Sequence, residues 1–180
     1  MATLTFELPP HRTQTTFNLR RWSELLADPE LAKVEGRIET DRHGHLIMSP
    51  PPAPSHGSFQ VEIARQLWDL LPEGRVLTEC PISTADGVKA ADVAWASPER
   101  MRELGDQVCF PHAPEICVEV LSPRNTKAEI HEKIELYFDA GALEVWVCNV
   151  NREMSFFKAS KQPVGVSSLC SHFPLRVELR

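Results

Sequence analysis

No apolar run in this 180-residue sequence approaches the roughly 20 residues needed to cross a bilayer, so a membrane-spanning helix is not expected. The opening stretch, MATLTFELPPHRTQ, has no basic segment followed by an apolar core, and so does not read as a secretory signal. There is no CxxC pair, which argues against a structural zinc site. The five cysteines, at 80, 109, 117, 148 and 170, are scattered and odd in number, several of them inside apolar stretches. They read as buried, reduced thiols and imply a reducing, cytoplasmic setting. No glycine-rich phosphate loop occurs, and Glu73-Gly74 is an ordinary turn. Helix-turn-helix and zinc-finger patterns, internal repeats and low-complexity tracts are all missing. The chain also lacks a basic excess: 25 acids against 19 Lys and Arg leave a net charge of −6. That disfavours sequence-independent nucleic-acid binding through bulk electrostatics, while leaving a local basic groove open.

What is present is ordinary for a soluble globular chain, with 42% hydrophobic and 24% charged residues. The length suits one domain with a proper core. Residues 1–20 carry little pattern and read as an N-terminal extension; residues 21–180 read as a single domain.

The stretch PEICVEVLSPRNTKAEIHEKIELYFDAGALEVWV, residues 114–147, organises the rest. Ile116 to Leu121 is nearly continuously apolar, as expected of a strand covered on both faces, yet Glu119 lies inside it. An ionised carboxylate there needs a metal ion, a cationic side chain or a water-filled cleft. Thr126-Lys127-Ala128-Glu129 has capping-box spacing, and Ile130, Ile134, Tyr137 and Phe138 form a helical stripe that Gly141 ends. Leu143 to Cys148 is a second apolar strand. A strand, helix and strand at this length predict a βαβ crossover with a parallel pair. Lys133 borders the stripe. It either buries its stem with its head in water or reaches toward the sheet.

Before this unit, Trp22 to Ala27 reads as a short helix, and Val34 to Thr40 with His45 to Met48 as a hairpin around Asp41-Arg42-His43-Gly44. A proline-rich loop, SPPPAPSHG, leads to a largely buried helix capped by Ser55 and running to about Leu71. Arg75 to Thr84 is a strand with Glu79 inside it. After the turn Ala85-Asp86-Gly87 comes the short apolar strand Ala90 to Ala96, where Asp92 shares a side with Ala94 and Ala96. Met154 to Lys158, Val164 to Leu169 and Leu175 to Leu179 read as further strands. Trp22, Trp68, Trp95 and Trp146 fit core positions better than a base-stacking platform.

Asp92 and Glu119 are thus isolated acids on two strands, with Lys133 returning near the same sheet. Two converging carboxylates form a hard oxygen site suited to Mg²⁺ or Mn²⁺. Buried acids also occur simply as partners of core Arg or Lys.

VEGRIE near Glu35, SPPPAPSH ending at His56, AADVAW around Asp92, PEICVEVLSP around Glu119 and HEKIELYFDAGALEVWV around Lys133 together resemble the Uma2 family (DUF820) over about Trp22 to Leu179. That family is a branch of the PD-(D/E)XK, restriction-endonuclease-like superfamily. The resemblance implies an α/β (α+β) fold, with a mixed central sheet flanked by helices and an N-terminal hairpin. It implies that Asp92 and Glu119 bind a divalent metal, Mg²⁺ or Mn²⁺, that promotes attack of water on a DNA phosphodiester, with the Val120 carbonyl as an extra ligand. Ala91 replaces the proline that usually precedes the aspartate. Leu121 stands where the superfamily lysine would, two residues after the second acid, and Lys133 matches the place from which this family supplies it. Glu79 is either a further metal or water ligand or an exposed strand residue; Glu35 is a weaker candidate. His56 either contacts a phosphate or caps its helix, the cap being favoured. Ser122 either holds Glu119 or begins the turn before Pro123. The resemblance further implies DNA as substrate, with RNA not excluded, and a homodimer. The alternative is a non-catalytic nucleic-acid-binding or regulatory module that keeps the fold.

Overall fold

The computed structural model describes residues 11–33, 36–159 and 162–179. Its main sheet has six strands in the order β3 (Arg75–Thr84), β4 (Gly87–Ala96), β5 (Ile116–Val120), β6 (Glu144–Cys148), β7 (Met154–Phe157) and β8 (Pro163–Val164). Only β5 and β6 are parallel; the other neighbours are antiparallel. The expected crossover through α4 (Lys127–Asp139) is present, and both bonds of the Thr126–Glu129 capping box form. Strand alternation divides the core into two faces. Val93, Trp95, Ile116, Val118 and Trp146 pack with Ile63 and Leu67 of α2 (Pro54–Leu70). Ala94, Ala96, Cys117, Val145 and Val147 pack with Ile134 and Tyr137 of α4 on the other side. The sheet is therefore mixed and flanked by helices, as expected.

The hairpin is β1 (Arg37–Thr40) with β2 (Leu46–Ser49), paired antiparallel as a separate two-stranded sheet. It is fastened to β4. Thr40 Oγ1 accepts from the Val88 amide at 2.8 Å, and the Thr40 carbonyl accepts from Lys89 Nζ at 3.0 Å. Gly87 makes this approach possible: its φ is +85°, and a Cβ there would stand 2.4 Å from the Thr40 carbonyl oxygen and 2.3 Å from that of Asp41.

Several expectations need correction. The first helix, α1, spans His11–Leu26 rather than beginning at Trp22. Tertiary contacts explain the extra turns: the buried Asn18 amide donates to Ser83 Oγ and the Thr84 carbonyl, both at 2.9 Å, and Leu19 joins Trp22 and Leu25 against Val88. Ser55 does not cap α2. Ala53 takes that position with an extended backbone, and Pro54 fills the first turn, where its missing N–H costs nothing. Nor is α2 largely buried: Trp68 is 61% exposed, because only the Gln60, Ile63 and Leu67 side of the helix meets the sheet. Past β7 the predicted strands shrink to the two residues of β8 and a single bridge between Glu153 and Arg176. Glu144 anchors this segment instead. Its buried carboxylate accepts from Trp146 Nε1, Ser167 Oγ, Ser168 Oγ and the Ser168 amide at 2.5–2.8 Å.

All five cysteines are free and buried. Burial pushes their thiols up, Cys148 to about 11, which leaves them unsuited to nucleophilic chemistry.

Candidate active site

Asp92 lies in the middle of β4, buried to 1% exposure. Its Oδ2 accepts from the Val120 amide at 2.6 Å. That bond joins β4 to β5 one residue past Glu119, where the register Val93–Val118 ends the pairing of these two strands. Its Oδ1 faces Arg37 Nη1 at 2.5 Å and His56 Nε2 at 3.4 Å. Burial alone would raise the Asp92 carboxyl. The His56 hydrogen bond, the Arg37 charge and the Val120 N–H outweigh it and hold Asp92 below the usual carboxylate range.

Glu119 is equally buried and accepts from α4. Lys133 Nζ reaches its two oxygens at 3.1 and 3.3 Å, and the Tyr137 hydroxyl donates to Oε1 at 2.7 Å. Lys133 and Tyr137 are one helical turn apart, so the same face of α4 supplies both. Burial pushes the Glu119 carboxyl up, against the pull of the Lys133 charge. Lys133 is pushed down by burial, but Glu119 and Glu39 more than reverse this and keep it an ammonium.

Glu39, on β1, completes the group from the hairpin side. Its Oε1 accepts from Lys133 Nζ at 3.0 Å and from the Ala90 amide at 3.1 Å. Glu79, on β3, sits across from Asp92. It accepts from Gln60 Nε2 at 2.6 Å and stands 3.4 Å from Arg37 Nε. Its φ of +50° is a left-handed conformation that a glutamate adopts only under constraint. Here the ladder is interrupted: Thr78 pairs with Val93 and Cys80 with Ala91, but Glu79 and Asp92 do not pair.

Asp92, Glu119, Lys133, His56 and Glu79 are therefore brought together. Ser122 is not part of the group: its amide and hydroxyl both donate to Asn125 Oδ1, at 2.7 and 2.9 Å, so it begins the turn. His56 touches Asp92 rather than capping α2, which corrects the favoured expectation. Glu35 lies outside the described residues.

A family model described as "Putative restriction endonuclease", Uma2, matches residues 22–165. The chain belongs to the Uma2 family. Among solved structures it is similar to "a putative nuclease belonging to DUF820" from Anabaena variabilis ATCC 29413, with a TM-score of 0.66 and 19% identity. That likeness covers 82% of this chain and 92% of the other, and shows the shared fold. No curated protein matches the chain.

Four residues of this Uma2 site were not singled out in the sequence: Arg37, Glu39, Gln60 and Tyr137. Arg37 and Glu39 are two apart on a strand, so period-two alternation puts both on one side. Gln60 falls seven residues before Leu67 on the buried side of α2, a polar residue at a helical core position. Tyr137 belongs to the apolar stripe of α4, and its hydroxyl finds a partner in Glu119 as buried tyrosines do.

The donor chemistry of the Uma2 site fits a hard divalent cation. Glu39, Glu79, Asp92 and Glu119 are all carboxylates, and they face two permanent cations, Arg37 and Lys133. The four carboxylates outnumber these two cations, and the hydrogen bond to Asp92 raises the His56 imidazole above its ordinary value, so a proton there offsets part of the excess. Among the described residues, no three acidic, histidine or cysteine side chains are arranged around a common ion position. Arg37 stands on Asp92 instead.

Proposed function

We propose that this chain is a divalent-metal-dependent nuclease that hydrolyses DNA phosphodiester bonds, with Asp92 and Glu119 as metal-binding acids and Lys133 as the assisting cation. The observation that carries this reading is the link from Asp92 through the Val120 amide to the strand of Glu119, whose carboxylate meets Lys133 and Tyr137. Three charged side chains from two strands and one helix converge in a core where unpaired charges are costly. The membership of the Uma2 family supports phosphodiester chemistry at this point.

Asp92 and Glu119 would hold Mg²⁺ or Mn²⁺, with the Val120 carbonyl and Glu79 as further oxygen donors. Such an ion supplies a lowered pKa for a bound water and positive charge for a phosphoryl oxygen. Lys133 does different work. Because Glu119 and Glu39 keep it protonated, it acts as a fixed donor that orients water or a phosphate oxygen, and not as a base. Tyr137 fixes the Glu119 carboxylate in the orientation that Lys133 requires. His56 stands 3.4 Å from Asp92, while Glu79, 46% exposed at its side chain, is the more solvent-facing group on that side of the site, where a phosphate would approach. Cutting both strands of a duplex needs two such sites, so the working form on duplex DNA is a pair of chains. RNA is the second substrate to try.

The test is cleavage of plasmid and single-stranded DNA in Mg²⁺ or Mn²⁺ by wild type, Asp92→Ala and Glu119→Ala. Cleavage by wild type that both variants lose is the expected result. Equal cleavage by all three would overturn the assignment. Absence of both cleavage and Mn²⁺ binding in the wild type would favour a binding module that keeps the fold.

A further inference from the structure

We propose that Arg37 is an internal counter-cation that occupies the ion-binding oxygen of Asp92 and thereby sets how tightly this site takes a divalent metal. The inference rests on the metal-dependent reading above.

Both Asp92 oxygens are already engaged. Oδ2 serves the Val120 amide at 2.6 Å, and Oδ1 serves Arg37 Nη1 at 2.5 Å with His56 and Gln60 at 3.4 and 3.5 Å. A divalent cation can use Oδ1 only if the guanidinium withdraws. The rest of Arg37 is poorly held for a buried arginine. Among the described residues, Nε and Nη2 are buried with no hydrogen-bond partner, although a guanidinium carries five donors. Nε lies 3.4 Å from Glu79 Oε2 and 3.7 Å from Glu39 Oε1, close enough for charge attraction but without hydrogen-bond geometry. Two carboxylates thus flank Arg37, placed to accept it once it leaves Asp92. The strained backbone of Glu79 keeps one of them there. Net charge permits the exchange. The four carboxylates outnumber Arg37 and Lys133, so a further cation can enter while Arg37 stays inside the group. Arg37 would then shift from the Asp92 side to the Glu79 and Glu39 side.

A merely structural arginine predicts that its removal loosens the site and weakens metal binding. A competing counter-cation predicts the opposite. The experiment is calorimetric titration of metal-free protein with Mn²⁺, comparing wild type, Arg37→Gln, Arg37→Lys and Asp92→Asn, with near-ultraviolet circular dichroism as the check on folding. Arg37→Gln is expected to bind Mn²⁺ about tenfold tighter or more, since no cation has to be displaced. Arg37→Lys, which keeps the charge but has a shorter reach and no fork, is expected to fall between wild type and Arg37→Gln. If Arg37→Gln does not fold, Arg37→Lys decides: binding tighter than wild type supports the inference, and equal or weaker binding overturns it. Wild-type binding that Asp92→Asn abolishes, with folded Arg37→Gln binding no tighter, removes the counter-cation role and leaves the metal site standing. Absence of Mn²⁺ binding in the wild type and in both Arg37 variants overturns both readings. Absence in wild type with binding in Arg37→Gln is the strongest support, because the competitor is then the reason the native site is weak.

Discussion

The amide of Val120 donates to Asp92 Oδ2 at 2.6 Å, so the acid of β4 is tied to the backbone one residue beyond the acid of β5. Neither carboxylate can move far without the other strand. This relationship keeps the two acids in register although they are 27 positions apart in sequence.

Lys133 joins the helix to this strand pair by contacting Glu119 and Glu39 together. Lys133→Met is expected to leave the buried Glu119 and the half-buried Glu39 without this cation and to lower stability by about 3 kcal/mol at neutral pH. Urea unfolding of the two proteins measures this, and a loss close to zero would mean that Arg37 and Tyr137 suffice as partners. Nuclease activity of the variant is expected to fall by about 100-fold or more.

Glu79 combines a strained backbone with a carboxylate facing Arg37. Glu79→Gly removes both. Relief of the left-handed conformation contributes about 1 kcal/mol of stability, set against the loss of the half-exposed carboxylate's contacts. The expected outcome is a melting temperature equal to or above that of wild type together with reduced nuclease activity. A clear fall in melting temperature would show that the Glu79 contacts outweigh the strain.

Glu144 carries the pH dependence of the C-terminal segment. Burial raises its carboxyl, but the hydroxyls of Ser167 and Ser168 and the Trp146 indole bring it below its ordinary value of 4.5. A carboxylate depressed on folding contributes stability that is present above the unfolded value and lost as pH falls through the folded one. Glu144→Gln is therefore expected to be less stable than wild type by about 2 kcal/mol at pH 7. The gap should close as the pH drops below 4.5, the ordinary value from which Glu144 is depressed. Thermal unfolding of both proteins across this range checks it; a constant gap would exclude the carboxylate as its source.

Gly87→Ala is expected to cost about 3 kcal/mol or more, because the added methyl meets the Thr40 and Asp41 carbonyls at a positive φ. The hairpin carrying Arg37 and Glu39 would lift from β4, so activity should fall with stability. Denaturant unfolding and cleavage assays read the two effects. An unchanged variant would mean that β1 is not held to β4 through this close approach.

The parts of the fold that were legible in sequence are those with local causes. The βαβ unit announced itself through an apolar strand, a capping box, a helical stripe and a terminal glycine, all within one stretch. The hairpin was marked in the same way, by alternation on either side of a turn; in the structure Ser97 caps the short helix α3 (Pro98–Leu104). Misreadings arose where a distant partner decided. α1 gained its early turns from Asn18 contacts on β3 and β4, and α2 left Trp68 outside because the sheet covers only one of its sides. The C-terminal stretches alternate like strands, yet Glu144 captures the chain through Ser167 and Ser168 before it can pair.

For the site, the sequence by itself singled out Asp92 and Glu119, because an acid inside an apolar strand needs a partner wherever it ends up. It also put Lys133 on the border of a buried helical face. Only the tertiary structure decided which groups those partners are. Arg37 and Glu39 come from a hairpin laid across β4, Gln60 from a helix on one face of the sheet and Tyr137 from a helix on the other. Charge pairing is a matter of distances across several ångströms, whereas sequence spacing governs only neighbours along one helix or strand. The same physics that makes a lone buried acid conspicuous leaves its counter-charge free to come from any part of the chain that the fold brings near.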